Sequence, residues 1–166
     1  MDKKACPIVA GFDHRLRGLC SIKSDDNHTR FLTGTSIING KNSIYLVQVC
    51  EEANTLMKYA LDHKELIWDI TCSNIIPDIF ATVYSKNLTN TQQKNASIYK
   101  IIKNKNQDFE IMKLLTINDD CNRLEWNPSN DNLLLGLSHS HVNLYEISGN
   151  ISSNISSIAT ETEYVK

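Results

Sequence analysis

Long hydrophobic runs are absent from this sequence of 166 residues. No stretch reaches the roughly 18 apolar residues that a membrane-spanning helix needs. The first residues also lack the apolar segment of roughly 7–15 residues that marks a secretory signal. Neither sign of charge is in large excess, because the sequence has 17 basic and 19 acidic residues. We therefore do not expect the basic surface stripe of a nucleic-acid-binding protein. We predict one soluble, cytoplasmic domain.

Glycine is scarce, with six residues, and the cysteines number only five. Neither a P-loop nor a Gly-x-Gly-x-x-Gly or Gly-x-Ser-x-Gly motif is present, so we expect no cofactor-binding loop and no catalytic nucleophile. The cysteines are odd in number and irregularly spaced, without a Cys-x-x-Cys pair. This pattern predicts neither a disulfide framework nor a zinc site. We interpret all five as small core residues or surface thiols.

Short apolar runs of about five to eight residues, separated by polar or turn-forming stretches, dominate the chain and are typical of strands. They fall into three sets, and the first strand of the second and third sets carries a tryptophan, Trp68 and Trp126. Tyrosines in the third strand of each set lie 54 and 46 residues apart, at positions Tyr45, Tyr99 and Tyr145. A four-stranded unit at about this interval is the period of a β-propeller blade.

A further apolar segment follows the first two sets, at residues 55–61 and 109–117. Each has a helical alternative, although the β-branched and aromatic residues around it favour a fourth strand. We predict an all-β repeat region over residues 1–147, with units of roughly 7–61, 62–117 and 118–147. The Ser- and Asn-rich residues 148–166 are predicted to be a disordered tail.

The third set resembles a WD40 repeat. In that family an apolar strand ends near Trp-x-Pro and a later strand closes with Trp-Asp. Trp126 and Pro128 match the first feature, and Tyr145 and Glu146 stand in place of the second. The resemblance implies a partial WD40 propeller of about three four-stranded blades, which is fewer than closure requires. The residues that the repeat and the resemblance assign to structural blade positions are Tyr45, Trp68, Tyr99, Trp126, Pro128 and Tyr145.

The order of segments resembles the N-terminal part of the EARP and GARP complex-interacting protein family. The matching residues include Pro7-Ile8-Val9, Gly11-Phe12, Arg30-Phe31-Leu32, Ile67-Trp68 and His141 to Tyr145. The resemblance implies a non-catalytic scaffold that binds the multisubunit tethering complexes EARP and GARP. It further implies a role in endosomal recycling and endosome-to-Golgi retrograde transport, with peripheral attachment to the trans-Golgi network and endosome surface through those partners. The alternative is a WD40 substrate-recruiting subunit of a ubiquitin ligase.

An open stack of blades would expose an apolar face at each end, because each blade hides its faces only against its neighbours. The candidate members of these faces are Leu32, Ile44, Leu133 and Leu135.

Polar candidates for chemistry are few. His63 precedes the first strand of its set, where a WD40 histidine can join a hydrogen-bond network with an Asp and a Trp; the alternative is a loop histidine. His139 and His141 lie on either side of Ser140 in a predicted hairpin, on the same face of an extended strand, and a metal site there would need a third ligand such as Asp131. The acidic pairs Asp25-Asp26 and Asp119-Asp120 are interpreted as solvated loop residues rather than catalytic carboxylates.

Overall fold

A computed structural model describes residues 9–23, 29–50, 53–85, 93–150 and 154–164 of the chain. Regular structure within these residues consists of strands: β1 (Leu16–Ile22), β2 (Thr29–Thr35), β3 (Ser43–Cys50), β4 (Thr55–Asp62), β5 (Leu66–Cys72), β6 (Ile79–Ser85), β7 (Asn95–Lys103), β8 (Phe109–Ile117), β9 (Arg123–Asn127), β10 (Asn130–Leu137), β11 (His141–Asn150) and β12 (Asn154–Tyr164). No described helix has the length and apolar character needed to cross a bilayer.

The strands form three antiparallel sheets, each of four strands in chain order. Sheet 1 contains β1 to β4, sheet 2 contains β5 to β8, and sheet 3 contains β9 to β12. Both segments with a helical alternative are strands, β4 and β8. The prediction of an all-β, unclosed array of about three four-stranded blades is thereby confirmed.

Burial patterns follow from the position of each sheet in the stack. Every residue of β6, in the middle sheet, is buried, because sheet 2 packs against a neighbour on both faces. In β9 the alternation is clean: Leu124 and Trp126 are buried while Arg123 and Glu125 face solvent. One covered face and one open face produce this period of two.

Two hydrophobic cores hold the stack together. The core between sheets 1 and 2 includes Leu32, Leu46 and Ile67. The core between sheets 2 and 3 includes Ile98 and Trp126. Each core draws on two sheets, so neither end sheet could bury its apolar face alone.

The first strands of the sheets lie side by side, β1 against β5 and β5 against β9. The strands approach closely at Gly18, which has a φ of +69° and where an added Cβ would lie 2.6 Å from Ile70 Cγ2. A side chain at this position would push the two strands apart, and glycine also adopts a positive φ without strain.

The predicted members of the open end faces divide into two groups. Leu135 is 47% exposed and Leu133 is half-buried, both on the face of sheet 3 that points away from sheet 2. For Leu32 and Ile44 the prediction is wrong, because both are fully buried against sheet 2. Successive side chains alternate between the two faces of a strand, and these two residues belong to the covered one.

The third sheet extends into the segment predicted to be a disordered tail. β11 runs to Asn150, and Asn154–Tyr164 forms β12, which pairs antiparallel with β11 from Asn150↔Asn154 to His141↔Tyr164. The disorder prediction is wrong for this segment. The prediction rested on polar composition alone. Without a partner, the edge of β11 would leave backbone N–H and C=O groups unpaired, and a segment that contains Thr and Ile can form the strand that pairs with them.

Candidate functional site

His63 is buried in the loop between β4 and β5, where sheets 1 and 2 meet. Its Nδ1 lies 3.2 Å from the Glu65 carbonyl oxygen, and its Nε2 lies 3.3 Å from Thr82 Oγ1. Tyr99 OH is 3.5 Å from the same Nε2. Since a carbonyl only accepts, Nδ1 donates to it and Nε2 is the acceptor for the hydroxyls. Burial lowers the pKa of His63, with the Glu65 carboxylate opposing the shift.

The network continues through sheet 2. Tyr84 OH lies 3.0 Å from Ser97 Oγ, which is 3.2 Å from Thr116 Oγ1. The His63 ring also packs against Tyr84 and Tyr99, with 5.6 Å between ring centroids in each case. His63 is thus joined to the interior of a sheet by Thr82 and Tyr99, rather than by an Asp and a Trp. These contacts fix the chain where one sheet passes to the next.

The three repeat tyrosines occupy equivalent faces of their sheets. Tyr99 is buried in the core against sheet 1, and Tyr145 is buried in the core against sheet 2. Tyr45 points the same way, away from the sheet that follows it, and is half-buried. Its ring meets Phe12 edge-on at 5.0 Å. Each tyrosine therefore faces the preceding position in the stack, and for Tyr45 the segment before β1 supplies the contact.

The two tryptophans are not at equivalent positions. Trp126 pairs with Leu134 and is 1% exposed; the residue in the same place in sheet 2 is Cys72, which pairs with Phe80. Trp68 instead lies at a register shift between Ile67 and Asp69. It is half-buried, its Nε1 donates to Ser85 Oγ at 2.7 Å, and the Arg17 guanidinium lies 4.2 Å from its ring centroid. The sequence pattern therefore aligned Trp126 with a residue four positions away from its structural equivalent, Cys72.

Pro128 is exposed in the turn between β9 and β10. Ser129 N donates to Asn127 Oδ1 at 2.9 Å, so an Asn side chain closes the turn. Asp131 follows in β10 but is buried, and it accepts a 2.6 Å hydrogen bond from Ser73 Oγ of sheet 2. That bond joins sheets 2 and 3 through polar groups.

A polar cleft of about 610 Å³ opens at one rim of sheet 3, where the loop before β9 meets the hairpin between β10 and β11. We call it the rim cleft, and it is lined by Asp119, Asp120, Ser138, His139, Ser140, His141 and Asn143. His139 Nδ1 lies 3.2 Å from Asp120 Oδ2, with both side chains well exposed.

Asp131 does not join the two histidines, because it is held by Ser73. In the described part of the chain, no group of three or more His, Cys, Asp or Glu side chains is placed to hold a metal ion. The pair Asp25-Asp26 lies outside the described residues.

Parts of the chain are similar in sequence to known proteins. No protein-family model matches the chain. It is 33% identical over 79 residues to WD repeat-containing protein DWA2 from Arabidopsis thaliana, covering 47% of this chain and 23% of that protein. It is 28% identical over 98 residues to EARP and GARP complex-interacting protein 1 from Rattus norvegicus, covering 58% and 25%. The human protein of that name is 24% identical over 98 residues, with the same coverage.

A crystal structure of Sqt1 from Chaetomium thermophilum, a WD40 protein, superposes with a TM-score of 0.60 at 13% identity, covering 94% of this chain and 37% of that one. At this identity the likeness is one of fold. The chain spans about a quarter of the length of the curated relatives it matches. It forms three blades of an open WD40-type β-propeller and is similar in sequence to the EARP and GARP complex-interacting proteins.

Proposed function

We propose that this chain is part of a non-catalytic scaffold that binds the multisubunit tethering complexes EARP and GARP, in endosomal recycling and endosome-to-Golgi retrograde transport. The observation that carries the proposal is the similarity to relatives whose names state an interaction with these complexes. The scaffold would reach the trans-Golgi network and endosome surface through its protein partners.

The architecture supports a binding role. Buried polar side chains such as His63 and Asp131 form hydrogen bonds at the junctions between sheets, so their role is to hold neighbouring sheets together. Loops held by such stacked sheets keep a fixed position, and this suits them to recognise a partner surface.

We place the contact on sheet 3. Its outer face, the one that points away from sheet 2, presents Leu135 and Leu137 at 47% and 46% exposure. This face continues through Ser138 into the rim cleft. An apolar centre beside a charged rim is the usual anatomy of a protein interface. The outer face of sheet 1 is partly covered, since Phe12 packs on Tyr45 and Lys58 Nζ donates to the Gly11 carbonyl at 2.7 Å.

The test is affinity purification of the tagged chain from cells, followed by mass spectrometry of the bound proteins. We expect EARP and GARP subunits with the wild type. Leu135→Lys on the outer face and Asp120→Lys in the rim cleft should reduce their recovery. Lys105→Glu, an exposed residue in the β7–β8 hairpin at the opposite rim, is the matched charge-changing control and should leave recovery unchanged.

Circular dichroism of each variant separates lost binding from lost folding. Recovery of a ubiquitin-ligase adaptor without tether subunits would contradict the proposal in favour of the alternative. Equal recovery with all variants would move the contact away from sheet 3.

A further inference from the structure

Two cysteines from different sheets meet at the junction of β1 and β5. Cys20 Sγ and Cys72 Sγ lie 2.7 Å apart, although 52 residues separate them in the chain. A covalent sulfur–sulfur bond is about 2.05 Å long, so only a small movement would bring the two atoms to bonding distance. Nothing in the sequence spacing indicates this pairing.

The backbone holds the two sulfurs in place. Gly18 lies against Ile70, and two residues further along both strands Cys20 lies against Cys72. Thr33 Oγ1 donates to the Gly18 carbonyl at 2.7 Å and fixes β1 at this point. The pair therefore sits on two strands whose separation is set by a glycine contact, rather than on mobile loops.

The two thiols differ in exposure. Cys20 is half-buried and Cys72 is 6% exposed. Both line a cavity of about 300 Å³ among β1, β5 and β9. Because Cys20 is the more exposed of the two, we expect an oxidant to react with its sulfur first. The hydrogen bond with Cys20 and burial raise the pKa of Cys72 well above its ordinary value, so this residue is suited to the second step rather than the first.

We propose that Cys20 and Cys72 are a redox modification site, which a low-molecular-weight disulfide such as oxidised glutathione converts to an inter-sheet disulfide. The Cys20 thiol loses its proton and its sulfur attacks one sulfur of the oxidant. A mixed disulfide forms, and one glutathione thiolate leaves and takes up a proton. The Cys72 sulfur, releasing its proton, then attacks Cys20 Sγ and displaces the second glutathione.

The balance is two protein thiols oxidised and one glutathione disulfide reduced to two thiols. A dithiol reductant reverses both steps. The resulting bond would join sheet 1 to sheet 2 covalently and restrict the unfolded chain between them.

The other described cysteines have different surroundings. Cys121 is buried and its thiol donates to the Arg123 carbonyl at 3.1 Å. Cys50, at the end of β3, is half-buried and serves as the matched control. Cys6 lies outside the described residues.

The test uses the full chain, purified in reduced form and incubated with oxidised glutathione. Remaining thiols are then alkylated, and the protein is measured by intact mass and by peptide mapping without reduction. We expect a loss of two hydrogen atoms, three alkylated cysteines instead of five, and a peptide that joins Cys20 to Cys72. Cys50→Ser should form the same cross-link.

In Cys72→Ser we expect Cys20 to retain one glutathione, because the resolving sulfur is gone. The oxidised wild type should unfold at a higher urea concentration than the reduced form, and Cys20→Ser should lose this difference. Alkylation of both Cys20 and Cys72 after oxidation would overturn the proposal. Stable glutathione on wild-type Cys20, or a cross-link to another cysteine, would overturn it as well.

Discussion

Truncating one side chain to alanine at each of two equivalent strand positions, with three carbons removed in each case, tests whether stacking between sheets stabilises this chain. Ile98 and Leu144 each precede the repeat tyrosine of their sheet, at matching places in β7 and β11. Ile98 is fully buried against sheet 3, whereas Leu144 is half-buried on the outer face of sheet 3. The two side chains have the same number of carbons and matching strand positions, and they differ chiefly in whether a neighbouring sheet covers them.

The magnitudes follow from burial. Three buried carbons at about 0.8 kcal/mol each give about 2.4 kcal/mol, and the cavity left in the core brings Ile98→Ala into the range of roughly 2–5 kcal/mol. Leu144→Ala loses about half of the transfer contribution and leaves no enclosed cavity, so about 1 kcal/mol is expected. Ile98→Val, at roughly 0.5–1.5 kcal/mol, provides a milder step should the alanine variant fail to fold.

Urea unfolding followed by tryptophan fluorescence and by circular dichroism gives both free energies of unfolding. Coincident transitions by the two probes are needed before the values are compared. Equal destabilisation by Ile98→Ala and Leu144→Ala would refute the reasoning, because it would mean that both faces of sheet 3 are equally covered.

Three further perturbations follow from single contacts. Burial lowers the pKa of His63, so as the pH falls through about 6.5 the unfolded chain binds more protons than the folded chain. The contribution of His63 to stability should therefore be full above about pH 6.5 and decrease as the pH drops. The urea midpoint of the wild type should fall between about pH 7.5 and pH 5.5, and it should fall less steeply in His63→Asn. Gly34→Ala would place a Cβ 2.6 Å from Ile67 Cδ1 and should cost about 1–3 kcal/mol, whereas Gly11→Ala, with nothing within 4 Å, should be nearly neutral in the same unfolding assay. Ser73→Ala removes the hydrogen bond to buried Asp131 and should lower thermal stability by about 1–3 kcal/mol, while Ser129→Ala in the exposed turn should change it by less than about 0.5 kcal/mol.

Much of the fold is predictable because strand periodicity and repeat spacing are properties of the chain itself. Runs of β-branched and aromatic residues separated by turn residues specify β5 to β8 without knowledge of their neighbours. The side chain of Asn127 closes the turn at Pro128, as the local sequence indicates. The same reasoning failed for β12, whose residues read as polar tail. Its strand depends on the edge that β11 offers, which is a tertiary property.

The candidate site was less predictable, for the same reason. His63 could be singled out by its place before a strand, but its partners Thr82 and Tyr99 come from sheet pairing. Strand pairing matches Trp126 with Cys72 rather than with Trp68, which lies four residues earlier at a bulge, and the sequence alone does not show this offset. The contact between Cys20 and Cys72 depends on how two sheets lie against each other, so no spacing rule could have revealed it.

The two ends of the stack are unlike, and the difference bears on where a partner would bind. At sheet 1, Tyr45 faces away from the stack and is met by Phe12, which is itself held by Lys58 through the Gly11 carbonyl. The chain thus supplies its own contact at the position that Tyr99 and Tyr145 fill against a neighbouring sheet. At sheet 3, Leu135 and Leu137 remain nearly half exposed. Because covering apolar surface contributes about 25 cal/mol per Å², a partner gains by covering Leu135 and Leu137 at the outer face of sheet 3, whereas at sheet 1 the gain would centre on Leu19, which is 71% exposed beside Phe12.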